Sequence, residues 1–130
     1  MSHDTLDREA IARAFIASVE KGVTGEALSA LVTEDVEQHE LPNRLFPDGV
    51  RRDHKTLLES AEKGQKVLRS QTYDVLNVVT SGEHVAIEMK WRGVLAVPLG
   101  KLSPGDALTG QFAFFLEIGD DGRIKKMRNY

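Results

Sequence analysis

The stretch His84-Val85-Ala86-Ile87-Glu88-Met89-Lys90-Trp91-Arg92-Gly93 decides the fold class. Successive side chains of a strand point to opposite faces, so Val85, Ile87, Met89 and Trp91 share one face while Glu88, Lys90 and Arg92 share the other. That period of two reads as a half-buried strand whose apolar face meets a helical layer. Further on, Phe112, Phe114 and Leu116 alternate with Gln111, Ala113, Phe115 and Glu117, which puts apolar residues on both faces. The outward face then needs its own cover. A closed two-fold pair is the commonest solution, so a homodimer through that face is expected.

Working outward, the chain from Val67 onward is rich in β-branched and aromatic residues and is broken at Ser81-Gly82-Glu83, at Pro98 to Asp106 and at Gly119-Asp120-Asp121-Gly122. Four strands in hairpin order are predicted. Upstream, Ile11, Ala14, Phe15 and Val19 recur at helical spacing before a stop at Gly22. A second, shorter helix is predicted from Gly25, with Thr24 as N-cap, Ala27, Leu28, Leu31 and Val32 inward, and Thr33-Glu34-Asp35 as its end. Val36 to Leu41 reads as a short extended segment, because Pro42 pushes the residue before it out of the helical region. Asp53 is placed as cap of a third helix running to Gly64, the expected C′ residue. Helices first and strands afterwards predict an α+β fold with an antiparallel sheet.

The length of 130 residues fits a single domain spanning 1–130. With no cysteine, thiolate ligands, a thiol nucleophile and disulfides are all excluded. A net charge of −3 gives no general attraction to phosphate backbones, and 6% aromatic residues supply few stacking platforms, so nucleic acid is not an expected partner. Met1-Ser2-His3-Asp4-Thr5-Leu6-Asp7 carries acids where a signal peptide needs a basic then an apolar stretch, and no run approaches the length of a membrane span. A cytoplasmic location away from membranes is the resulting expectation. Arg51-Arg52 and Lys125-Lys126-Met127-Arg128 read as solvated faces.

Three stretches taken together carry a likeness: Ala27 to Glu40, Ile87-Glu88-Met89-Lys90-Trp91-Arg92-Gly93, and the closing Asp120-Asp121-Gly122-Arg123-Ile124. In these the chain resembles the SnoaL-like branch of the nuclear transport factor 2-like superfamily, from about Leu6 to Tyr130. The resemblance implies a cone: a strongly curved antiparallel sheet wrapped around three N-terminal helices, with one apolar pocket at the wide end. It also implies company as varied as ketosteroid isomerases, polyketide cyclases, epoxide hydrolases and binding modules, so the fold alone does not name a function.

Residue by residue, Glu40 falls where ketosteroid isomerases keep the carboxylate that moves a proton beside a carbonyl. The oxyanion-binding Tyr and Asp of those enzymes correspond to Phe15 and Phe114, and the arginine and acid of limonene-epoxide hydrolases to Met89 and Trp91. Both of those sites are therefore expected to be missing, and no arginine or lysine is matched to the interior. Glu40 or, if the strand is offset by one, His39 is the candidate acid or base. Gln38 and Asn129 are expected to orient a ligand, with Phe15, Met89, Trp91, Phe112, Phe114 and Met127 as walls. Glu37 and His39 stand two apart, with His54 as a conceivable third metal ligand, but two ligands are too few and no metal or cofactor is expected.

The leading expectation is a cofactor-independent isomerase-, cyclase- or lyase-like enzyme acting on a small, largely apolar carbonyl-containing or hydroxylated molecule. Two alternatives stay open: a non-catalytic binding domain for a small hydrophobic molecule, and a structural dimerisation module with a filled core. An enzyme needs an acid or base within reach of its ligand, a binder only a cavity, and a structural module neither.

Overall fold

A computed structural model describes residues 6–43 and 46–130. Met1 to Thr5, the bulk of the segment read for a signal peptide, and Arg44-Leu45 of the loop after Pro42 lie outside the described residues. The elements run α1 (Arg8–Glu20), α2 (Gly25–Ser29), β1 (Val32–Glu40), β2 (Val50–Arg52), α3 (His54–Val67), β3 (Leu68–Ser81), β4 (His84–Leu95), β5 (Ala107–Ile118) and β6 (Ile124–Asn129). The six strands form one open, curved sheet in the order β2-β1-β6-β5-β4-β3. Every neighbouring pair is antiparallel except β1 with β6, which run parallel. The α+β cone expected from the resemblance is the observed architecture.

Local chemistry explains the helix ends. Asp7 caps α1 by accepting from the Ala10 N–H at 3.0 Å. Gly22 ends it at φ +79°, a conformation that costs glycine nothing. Asp53 caps α3 in a reciprocal box with Thr56, as its position after the turn predicted. Hydrogen bonds donated by the Thr56 N–H and the Thr56 hydroxyl hold the Asp53 carboxyl below the usual range.

Three boundaries differ from the sequence reading. The second helix stops at Ser29, and Val32 to Asp35 belong to β1. The cause is non-local: Val32 pairs with Ile124 and the Ile124 N–H donates to the Leu31 carbonyl at 3.0 Å, so a distant strand pulls the segment straight. Thr24 stands at the N-cap in extended geometry, but its side chain makes no cap bond. Gly64 is not a helix stop, since α3 continues to Val67. The short β2 was not predicted. On α1 the buried stripe is Ala12, Phe15 and Ile16, while Ala14 turns to solvent, and on α2 Ala27 is likewise exposed.

Alternation along β4 places Val85, Ile87 and Met89 in the core, where Phe114, Leu116, Ile118, Ile124 and Met127 meet Phe15 and Ile16 of α1. The other face turns outward with Ala86, Glu88 and Lys90. Among the described residues no helix is long and apolar enough to cross a membrane. Leu116 is fully buried and Leu76 is 49% exposed, so the same truncation distinguishes packing from composition. Leu116→Ala is expected to lower unfolding free energy by about 2–5 kcal/mol and Leu76→Ala to stay within about 0.5 kcal/mol, measured by urea denaturation. Equal losses at the two sites would contradict this packing.

Candidate functional site

The parallel pairing of β1 with β6 sets Gln38 beside Met127 and Glu40 beside Asn129, and β5 adds Phe114 beside Asn129. All five side chains line one cavity of about 230 Å³. Phe15 and Val19 of α1, Leu28 of α2, Leu57 and Ala61 of α3 and Tyr73 of β3 close it. The volume lies just below the usual small-molecule range of about 300–1,000 Å³, so a compact ligand suits it.

Glu40 is fixed by both oxygens. Its Oε1 accepts from Arg52 Nη1 at 3.1 Å and its Oε2 from Asn43 Nδ2 at 2.9 Å. The same Nη1 donates to Gln38 Oε1 at 3.0 Å, so one guanidinium nitrogen ties the two β1 side chains to β2. The Arg52 and Glu40 side chains are 10% and 22% exposed. A carboxylate has about four acceptor positions, and two are in use, so Glu40 retains capacity to take a proton. The turn at Pro47-Asp48-Gly49 reverses the chain, and register then sets Arg52 opposite Gln38. Sequence reasoning missed Arg52 because a three-residue strand is too short to show alternation. The absence of any interior cation, expected from the sequence, is thereby corrected.

Tyr73 is the other group that the sequence reading missed. Its ring packs edge-on against Phe114 with centroids 6.4 Å apart, and its hydroxyl has no hydrogen-bond partner among the described residues. Burial, with smaller contributions from the charges of Glu20 and Glu40, pushes the phenol up to about 12. It is therefore a neutral donor at any ordinary pH. The signal was present in Tyr73-Asp74-Val75, an inward-outward alternation with a polar-tipped aromatic on the inner face. Asn129 Oδ1 is buried without a partner, while Gln38, the other amide expected to point inward, is satisfied by Arg52.

Of the expected walls, Phe15, Phe114 and Met127 line the cavity, as do Gln38, Glu40 and Asn129. Met89, Trp91 and Phe112 do not. Met89 is fully buried in the core beneath α1. Trp91 stacks edge-on against Phe112 at 5.8 Å and donates from Nε1 to Gln71 Oε1 at 3.0 Å. Gln71 in turn donates to the Val19 carbonyl at 2.9 Å and lines the cavity, so Trp91 sits one layer behind the wall. His39 faces the opposite side of the sheet from Glu40, as strand alternation requires, and lines an outer groove instead. His54 contacts Ser29 Oγ at 2.9 Å. Among the described residues no three His, Asp or Glu side chains gather as metal ligands.

The family profile described as a SnoaL-like domain matches residues 12–127. No curated protein matches the chain in sequence. Solved structures do match in fold. IdmH from Streptomyces antibioticus, a proposed polyketide cyclase, is 21% identical with a TM-score of 0.79, over 96% of this chain and 91% of its own. A proposed polyketide cyclase from Xanthomonas campestris pv. campestris is 20% identical with a TM-score of 0.77, over 95% and 88%. A protein with a ketosteroid isomerase-like fold from Catenulispora acidiphila, in complex with trimethylamine, is 18% identical with a TM-score of 0.68, over 92% and 83%.

The phenol supplies a direct test of the cavity. In Tyr130→Phe protein, ultraviolet difference titration is expected to show Tyr73 ionising near pH 12, far above its ordinary value of 10.0. The neutral phenol favours the folded state below about pH 10, and that stability, on the order of 3 kcal/mol, drains away as pH rises towards 12. Tyr73→Phe removes this alkaline slope. A midpoint near 10 would mean that the ring lies open to water.

Proposed function

Because the chain belongs to the SnoaL-like domain family, we propose that it is a cofactor-independent acid/base enzyme of the cyclase and isomerase kind, acting on a small, largely apolar carbonyl compound. One observation carries the reading: a carboxylate and an unpaired neutral phenol share a cavity whose remaining walls are mostly apolar. The likeness to two proposed polyketide cyclases supports the reaction class.

In this reading the substrate carbonyl oxygen accepts a hydrogen bond from Tyr73. Glu40 takes a proton from the carbon beside that carbonyl. The C–H electron pair becomes part of a new C=C bond and the carbonyl π pair moves to oxygen, where the Tyr73 O–H stabilises the developing charge. The enolate then has two balanced outcomes. Where the substrate is β,γ-unsaturated, the dienolate regains the proton from Glu40 at its γ carbon and the C=C moves into conjugation, which is isomerisation. Otherwise the enolate carbon attacks a second carbonyl of the same molecule, the first C=O re-forms and the second oxygen takes the proton, which is cyclisation. Tyr73 on β3 thus takes the place of the helix tyrosine that Phe15 replaces. Asn129 Oδ1 accepts from a hydroxyl or N–H of the substrate and so gains the partner it lacks.

A non-catalytic binder is the rival, favoured by the grip of Arg52 and Asn43 on Glu40. Thermal-shift screening of small ketones, β-diketones and lactones identifies a ligand under either reading. Proton exchange of that ligand in deuterated water, followed by NMR, separates the two. Exchange is expected with the wild type, reduced about 10²–10⁴-fold by Glu40→Gln and about 10²-fold by Tyr73→Phe. Tight binding with no exchange above background would establish the binder.

A further inference from the structure

The outer side of the sheet changes character along one register row. Val79 pairs with Ala86, Ala86 with Phe115, Phe115 with Arg128, Arg128 with His39 and His39 with Arg51. The row is apolar across β3, β4 and β5 and basic across β6, β1 and β2. The basic half is concave: a groove of about 520 Å³ is lined by His39, Arg51, Arg52, Lys126 and Arg128, with Glu37 at the same wall.

These cations are unusually free. Among the described residues Arg51, Lys126 and Arg128 make no ion pair with any carboxylate, and Arg128 only lies over the Phe115 ring at 5.7 Å. The other acid at the groove, Asp53, is occupied by the N–H and hydroxyl of Thr56 as the cap of α3. Arg52 adds a second, independent observation. Its side chain is nine-tenths buried, only Nη1 is used by Gln38 and Glu40, and Nε and Nη2 donate to nothing among the described residues. Neither nitrogen is walled off. A largely buried guanidinium held by one nitrogen and stacked over Phe46 at 5.4 Å presents a fixed fork of unused donors, the geometry that receives an oxyanion.

We infer that this groove is a binding site for the oxyanion of a small molecule, a carboxylate or phosphate held by Arg51, Arg128, Lys126 and the free edge of Arg52. A concave site of this size suits a small molecule. The overall charge of −3 argues against an extended polyanion such as nucleic acid. The anion has two sources. It is either a free anion or the acidic end of the cavity's own ligand, since Gln38, Arg52 and Met127 line both the groove and the cavity. The second source rests on the cavity being a ligand site.

Isothermal titration calorimetry with three probes tests this: inorganic phosphate, decanoate and decanol. The expected result is that phosphate or decanoate binds, that binding weakens as NaCl rises from about 0.05 to about 0.5 M, and that Arg51→Ala/Arg128→Ala loses at least about tenfold in affinity. Lys21→Ala/Lys101→Ala, with the same charge change elsewhere, is expected to lose nothing. Arg51→Gln/Arg128→Gln repeats the test with side-chain bulk retained. Phosphate binding without decanoate binding identifies a free anion. Decanoate binding far tighter than phosphate, with decanol insensitive to the arginine substitutions, identifies the acidic end of the cavity ligand. If neither anion binds, or the Lys21→Ala/Lys101→Ala variant weakens binding as much as the arginine double variants do, the inference is overturned. Decanol binding in that case leaves the cavity reading standing.

Discussion

Arg52 Nη1, shared between Gln38 and Glu40, is the bond on which the rest of the site depends. An ionised carboxylate facing a largely apolar cavity is costly unless it is paired and hydrogen-bonded. β2 exists as a strand of three residues whose last residue supplies that pair. Asn43 completes the arrangement from the loop, and the Phe46 N–H donating to Asn43 Oδ1 holds that loop in place. The hairpin between β1 and β2 is thus shaped around one charge, and the charge is positioned beside Asn129 by the parallel β1–β6 pairing.

This arrangement divides the labour across the sheet. Inward side chains of β1, β6 and β5 meet the helices and define a small chamber in which only a few polar groups remain. Outward side chains of β6, β1 and β2 carry the cationic row. Arg52 belongs to both sides, because its buried guanidinium spends one nitrogen on the chamber and leaves two for the groove.

Much of the fold was legible because the strands β3 to β6 obey period two and the breaks between them contain glycine and charged turn residues. The caps at Asp53 and Gly22 were legible because capping is local chemistry. What could not be read was non-local. Val32 to Asp35 follow a helix in sequence but are drawn into a strand by Ile124, some ninety residues on, and no local propensity encodes that. Glu40, Gln38, Asn129, Phe15, Phe114 and Met127 were placed at the cavity from parity and resemblance. Trp91, Met89 and Phe112 have the same parity, but they lie under core or behind Gln71, since parity gives a face and not a depth. Arg52 was hidden by the shortness of β2, and Tyr73 because β3 has no fully buried residue to mark its inner face.

Arg52 and Glu40 act as a coupled pair inside the cavity rather than as two strand-end charges in water. A double-mutant cycle with Glu40→Gln and Arg52→Met, followed by urea unfolding at neutral pH, measures that coupling. Removing Arg52 alone strands a carboxylate, so the double variant is expected to be more stable than Arg52→Met and the two losses to deviate from additivity by about 1–3 kcal/mol. Losses that add to within about 0.5 kcal/mol would contradict it.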